Sequence, residues 1–200
     1  MMKRPQNWDD VKPVEGGFQR LTAGGHVCEI VEAKATKSKS GKDMLVIAFD
    51  IKGGEFDGYF MNMFSRIVSY NGGKATWPND GVYRQLAEGE SLGRFKAMLM
   101  NIEKSNPGYK WDWNEQSLKG KKFGGLFREE EWEGHDKNGN PAIKTSIRCF
   151  AIKPVDGIED EPVPSPKLLD RHTSTSASGG FNGNYGGGFG KSVADEDIPF

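Results

Sequence analysis

Beyond Val155 the chain contains few of the residues from which a core is built, and this limits what the remainder can fold into. Asp156 to about Pro166 is dominated by Pro and acids, and Thr173 to Gly190 is Ser, Thr, Gly and Asn with a few aromatics, Phe181, Tyr185 and Phe189. Such a composition buries too little apolar surface to offset the entropy of an ordered backbone. Residues 156–190 are therefore expected to be a flexible, disordered linker and residues 191–200 an acidic tip. Of 200 residues and 22.1 kDa, residues 1–155 remain for folding, enough for one ordinary domain.

Within those residues most of the apolar pattern has period two. His26 to Ala35 alternates apolar and polar, and Met44 to Ile51 is a strongly strand-like run. Between them Lys37-Ser38-Lys39-Ser40-Gly41-Lys42 has the composition of a turn. After Gly53-Gly54, Gly58 to Phe64 (GYFMNMF) reads as a third strand, and residues 65–80 as a Gly- and Asn-rich connection. The period then changes. Leu92, Phe95, Leu99 and Ile102, with Met98 on the same stripe, fall at helical spacing from Ser91 to Lys104, with Ser91 as N-cap and Asn106-Pro107-Gly108 as the stop. Lys121 to Trp132 and Ala142 to Lys153 are two further strands, joined through the hairpin signal Asn138-Gly139. Three strands, a helix and two strands is the order of the OB-fold, an all-β, five-stranded barrel with one helix between strands three and four. An SH3-like barrel or an unrelated α+β sheet would need that helix elsewhere.

Overall charge conceals two opposed parts. Residues 1–155 hold 24 Lys and Arg against 20 Asp and Glu, and residues 156–200 hold 3 against 8, although the net charge is −1. The body is mildly basic and the tail acidic. No apolar run approaches the length of a bilayer span, and Met1-Met2-Lys3-Arg4-Pro5-Gln6-Asn7 lacks the apolar stretch of a signal peptide, so a cytoplasmic protein without membrane association is expected. Cys28 and Cys149 lie in strand-like runs with no CxxC spacing, as expected of buried, reduced thiols rather than a zinc site.

The chain closes on Asp195-Glu196-Asp197-Ile198-Pro199-Phe200. A terminal aromatic on a mobile arm is an apolar anchor, its carboxylate can meet a cation at a pocket rim, and the acids before it can be captured by a basic surface. This ending resembles the C-terminal tip of bacterial single-stranded DNA-binding proteins, which recruits replication and repair enzymes. Three internal stretches, Ser38-Lys39-Ser40-Gly41-Lys42-Asp43-Met44-Leu45, Ser105-Asn106-Pro107-Gly108-Tyr109 and Lys119-Gly120-Lys121, resemble single-stranded DNA-binding proteins of phages and mobile elements. The two resemblances imply an OB-fold body that coats single-stranded DNA during replication, recombination or repair, and a tip, Asp195 to Phe200, that binds partner enzymes. For a phage-encoded chain the compartment is the host cytoplasm. A long insertion over 65–90 and the Trp-rich segment 109–113 depart from ordinary bacterial members, so their tetramer is not assumed, and a homo-oligomer stays open.

A protein that holds single strands without reading sequence needs cations for phosphates and aromatic faces for bases. Lys37, Lys39 and Lys42 supply cations on what reads as a flexible loop. In the last strand Ile143, Thr145, Ile147 and Cys149 share one face and Lys144, Ser146, Arg148 and Phe150 the other, which makes Lys144 and Arg148 candidate phosphate ligands. The Gly58 to Phe64 strand can face either way. Pairing of Phe60 with Asn62 favours Phe60 on the DNA side. Arg66, Tyr70 and Trp77 sit in the insertion, where little core is at hand to bury them. Trp111, with Tyr109 and Trp113, is either a stacking platform or a flank of the helix. Trp132 is set aside because Glu129, Glu130, Glu131 and Glu133 surround it in sequence.

Catalysis finds little support. Gly41-Lys42-Asp43 and Gly73-Lys74-Ala75 lack the remaining residues of a phosphate-binding P-loop, and His26, His135 and His172 are scattered. Glu129 to Glu131 would alternate faces along a strand, which spoils a shared metal site. The chain is therefore expected to be no enzyme, with no metal and no cofactor. A recombination mediator or strand-annealing protein using the same surface, a metal-dependent nuclease, and an adaptor without DNA affinity are the alternatives.

Overall fold

The computed structural model describes residues 3–4, 19–73 and 75–169. The rest of the linker beyond residue 169 and the tip Asp195 to Phe200 lie outside the described residues. Five antiparallel strands form one sheet: β1 (Gly24–Lys37), β2 (Asp43–Ile51), β3 (Val82–Leu86), β4 (Lys122–His135) and β5 (Pro141–Lys153), in the spatial order β3-β2-β1-β4-β5. The first four strands thus lie in Greek-key order, with the fourth returning beside the first. Two helices interrupt the chain, α1 (Tyr59–Tyr70) before β3 and α2 (Leu92–Ser105) after it.

Strand β2, between β3 and β1, is buried on both sides, as its unbroken apolar run requires. Leu45, Ile47, Phe49 and Ile51 enter the main core, where the Phe49 ring meets Phe60, Phe123 and Phe127 edge to face at 5.5–5.9 Å. Helix α2 closes that core with Phe95, Met98, Leu99 and Ile102, the stripe read from the sequence. Ser91 makes no side-chain cap and belongs instead to a 3-10 turn, Gly89–Ser91. At the other end Asn106 stops the helix. Its amide donates to the Ile102 and Lys122 carbonyls and its oxygen accepts the Lys122 N–H, which ties α2 to β4. The β4–β5 turn is the expected one, with Gly139 at φ 83° and the Asp136 carboxylate accepting the N–H groups of Asn138 and Asn140.

Gly58 to Phe64 is not a strand. Residues 59–70 are helical, with Phe60, Phe64 and Ile67 one helical turn apart. The helix begins where the Asp50 carboxylate, at the end of β2, accepts the N–H groups of Phe60 (2.8 Å) and Met61 (3.2 Å). That cap comes from a neighbouring strand rather than from the helix's own sequence. Burial raises the Asp50 pKa, and the hydrogen bonds from Phe60, Ile51 and Met61 act against that rise. The true third strand is Val82–Leu86, within the 65–90 insertion and just past the residues read as a connection. Among the described residues there are therefore two helices, and four of the expected strands stand, with a helix between the third and fourth strands of the sheet.

The body also extends past Val155. Ile158, in a 3-10 turn at Ile158–Asp160, is buried against a seat made by Gly25 on β1 and Gly124 on β4. A Cβ on Gly25 would collide with the Ile158 backbone carbonyl, and one on Gly124 with the Pro154 carbonyl. Further on, Lys167 lies alongside β4: its N–H donates to the Glu129 carbonyl (2.8 Å) and its carbonyl accepts the Glu131 N–H (2.9 Å). It covers a stretch of β4 that β1 leaves unpaired. Up to residue 169 the chain carries 25 Lys and Arg against 24 Asp and Glu, so the basic excess of the body nearly vanishes once this segment is included. Any preference for polyanions must then come from where the cations are placed.

Both cysteines are free. Their sulfurs converge on Gly125, a residue whose Cβ would touch both. Burial pushes the Cys28 thiol well above its ordinary pKa and Cys149 up to about 12; as a residue Cys149 is only half-buried, but its sulfur is enclosed. Since the thiolate is the nucleophile, neither is expected to react with an aromatic disulfide reagent at mildly alkaline pH until the chain is unfolded. Rapid release of the chromophore from native protein would contradict this.

Candidate nucleic-acid interface

On the long β4–β5 ribbon the register sorts side chains by chemistry. Arg128 pairs with Arg148, Glu130 with Ser146, Trp132 with Lys144 and Gly134 with Ala142 on one face. Phe127 with Cys149, Glu129 with Ile147, Glu131 with Thr145 and Glu133 with Ile143 occupy the other. Three of the four acids flanking Trp132 in sequence therefore point away from it. The fourth, Glu130, is held by Arg128 at 2.7 Å.

This face carries two cation–aromatic pairs. The Lys144 ammonium lies 5.5 Å from the Trp132 ring centroid, and the Arg128 guanidinium 4.7 Å from that of Phe150. Gly134 makes room for the first pair, since a Cβ there would stand 2.9 Å from the indole and 3.0 Å from the Lys144 stem. A register shift between Leu126 and Phe127 leaves Phe150 without a direct partner on β4, and its ring lies by Arg128. Trp132, Arg128 and Phe150 are the residues missed as candidates. The alternation that selected Lys144 and Arg148, applied to β4, separates Trp132 from three of its four acids.

Arg148 has a second role. It reaches Asp80, in the 3-10 turn Asn79–Gly81 that leads into β3, at 3.3 Å, so the sheet's two outer strands approach each other through side chains. On the outer surface of β1, β2 and β3, the register puts Lys34 and Arg84 on either side of buried Val46. Arg84 also donates to the Asn79 side chain at 2.7 Å.

The remaining candidates divide. The Lys37–Lys42 loop is an ordered turn: Ser38 N–H donates to the Lys42 carbonyl, Lys42 N–H to the Ser38 hydroxyl, and Gly41 takes φ 79°. Flexibility is therefore not its asset. It presents Lys39 and Lys42 to solvent, while Lys37 pairs with Asp43 at 2.6 Å, which raises its pKa. Phe60 is fully buried against Phe49 and Tyr59 and cannot meet a base. Trp77 is only 9% exposed, with its indole N–H donating to the Gly81 carbonyl (3.1 Å) and its ring on Phe64 (5.6 Å). The insertion makes its own small core, in which a Cβ on Gly81 would strike both Phe60 and Trp77. Arg66 and Tyr70 lie one turn apart on the exposed side of α1, and Tyr70 is 89% exposed. Trp111 is the flank of α2, set between Phe95 (5.8 Å) and Trp113 (4.7 Å). Trp113 is the ring that faces solvent, 77% exposed at φ 66°.

Among the described residues no three His, Cys, Asp or Glu side chains are placed to hold a metal ion, and no helix is long and apolar enough to cross a membrane. No family model matches the chain, and no curated protein matches it.

Proposed function

We propose that the chain is an OB-fold single-stranded DNA-binding protein that coats strands exposed in replication, recombination or repair, without catalysis. The observation that carries this reading is the β4–β5 face, where Lys144 lies over Trp132 and Arg128 over Phe150 while three acids are turned to the reverse side. Such a face offers phosphates a cation beside each surface on which a base can stack, and it contains no pattern that would select one base. The OB reading draws support from the Greek-key strand order, from α2 between β3 and β4, and from the approach of Asp80 to Arg148 across the sheet's open edges. In OB-folds the surface of strands two and three and the loops joining strands one to two and four to five hold the nucleic acid. Here those positions correspond to Arg84 on β3, the Lys39–Lys42 turn, and the 136–140 turn that continues the ribbon. The Asp195 to Phe200 segment is assigned to partner enzymes and not to DNA.

Titration with oligo-dT, read by tryptophan fluorescence, is the test. Quenching is expected. With about three or four phosphates neutralised, affinity falls roughly 20–50-fold between about 50 and 200 mM salt. No binding at the lower salt concentration would refute the reading.

A further inference from the structure

Where the edges of the sheet fail to pair, α2 crosses behind them and a groove of about 690 Å³ remains. Its wall is apolar over Met98, Ile152 and the Phe150 ring, and cationic residues line it from three elements: Arg94 from α2, Arg128 from β4 and Lys153 from the end of β5. Two acids partly compensate, Glu130 on Arg128 at 2.7 Å and Glu161 on Lys153 at 3.3 Å. Tyr83, on β3, also lines the groove, with its hydroxyl donating to Gln85 at 3.3 Å. The Asn101 amide fastens α2 to the Ile152 carbonyl at 2.8 Å, so the two sides are held at a fixed separation.

The partly exposed ion pairs of Arg128 and Lys153 are weak enough for a phosphate to displace. The volume is that of a small-ligand site, and a flat aromatic lies at its edge under a guanidinium. We infer that this groove is a nucleotide subsite, in which the cations that line it meet the phosphate and Phe150 meets the attached base. The nucleotide belongs to a single strand continuing from the Trp132–Lys144 face, because Arg128 and Phe150 border both surfaces. This inference rests on the DNA-binding reading and adds a path to it, around the edge of the sheet toward α2.

Anisotropy of labelled oligo-dT with wild type, Arg94→Glu, Phe150→Ala and Lys144→Glu tests it, with dTMP titrated in parallel. Arg94→Glu and Phe150→Ala are each expected to weaken oligo-dT binding about tenfold at low salt, with dTMP bound far more weakly than the oligomer. Thermal melting checks the fold. Arg94 is exposed on α2, so that variant decides the matter should Phe150→Ala prove unstable. If Lys144→Glu weakens binding while both groove variants stay within twofold of wild type, the subsite is overturned and the DNA-binding reading survives. If dTMP binds as tightly as oligo-dT and the groove variants abolish that binding alone, the groove serves a free nucleotide and the strand path is overturned. Wild type that binds no oligo-dT overturns both.

Discussion

Gly25→Ala is expected to destabilise the full chain by about 3 kcal/mol, the upper part of the range for forcing a methyl group into a packed site. For a chain of this length that is a fall in melting temperature of roughly 6–12 °C. The cause is steric. Gly25 does not have a positive φ, so alanine meets no backbone penalty there, but its Cβ would occupy the space of the Ile158 carbonyl. A carbonyl cannot swing aside as the end of a long side chain can. The whole Ile158–Asp160 turn would have to lift, uncovering a side chain now fully buried. Ending the chain at residue 155 should lower stability by a comparable amount, because it strips Ile158 from the same seat. In the truncated chain Gly25→Ala should then do almost nothing further, since the colliding atom is gone. Equal effects of Gly25→Ala in both chains, or none in the full chain, would show that residues 156–161 do not pack as described.

This seat shows how sequence can conceal an element. Composition was a sound guide to how little core lies beyond Val155, but a single isoleucine among acids and prolines is enough to dock a turn when two strands offer glycines to receive it. The signal was in the strands: Gly25 stands at the head of β1 and Gly124 interrupts the apolar run Phe123 to Phe127, as glycine does where another backbone comes close. Strands β1, β2, β4 and β5 were legible because each is long enough for alternation or an unbroken apolar run to repeat. The stretch GYFMNMF was not, since seven residues satisfy both a strand and two turns of helix. Only Ile67, further along, and the Asp50 carboxylate, contributed by another strand, decide for the helix. That misreading also displaced Phe60 and Trp77, which are core residues of the insertion because the helix gives them each other's neighbourhood to fill. Among the candidate site residues, Lys144 and Arg148, chosen by alternation in a true strand, kept their faces; of the insertion residues Arg66 and Tyr70 are exposed and Trp77 is buried.

Trp132→Ala should reduce oligo-dT affinity about 10–100-fold, and Ile143→Ala less than twofold. The two side chains are both exposed, both large and apolar, and nearly opposite across the β4–β5 ribbon, so general loss of ribbon stability would affect them alike. They differ in face. Trp132 lies with Lys144 on the side that also holds Arg128, Arg148 and Phe150, whereas Ile143 sits with Glu133 and next to Glu131. Removing the indole removes a stacking surface of about 1–3 kcal/mol, and it also leaves the Lys144 ammonium without the ring that fixes its position. Lys144→Glu should act on the same contact with a different signature, lowering affinity most at low salt and reducing the salt slope, while Trp132→Ala leaves that slope nearly unchanged. A double variant should lose less than the sum of the two, because the cation and the ring serve one nucleotide. If Trp132→Ala and Ile143→Ala weakened binding equally, the sorting of acids and cations between the two faces would have no bearing on DNA, and the strand would have to run elsewhere, over the Lys39–Lys42 turn or the exposed side of α1.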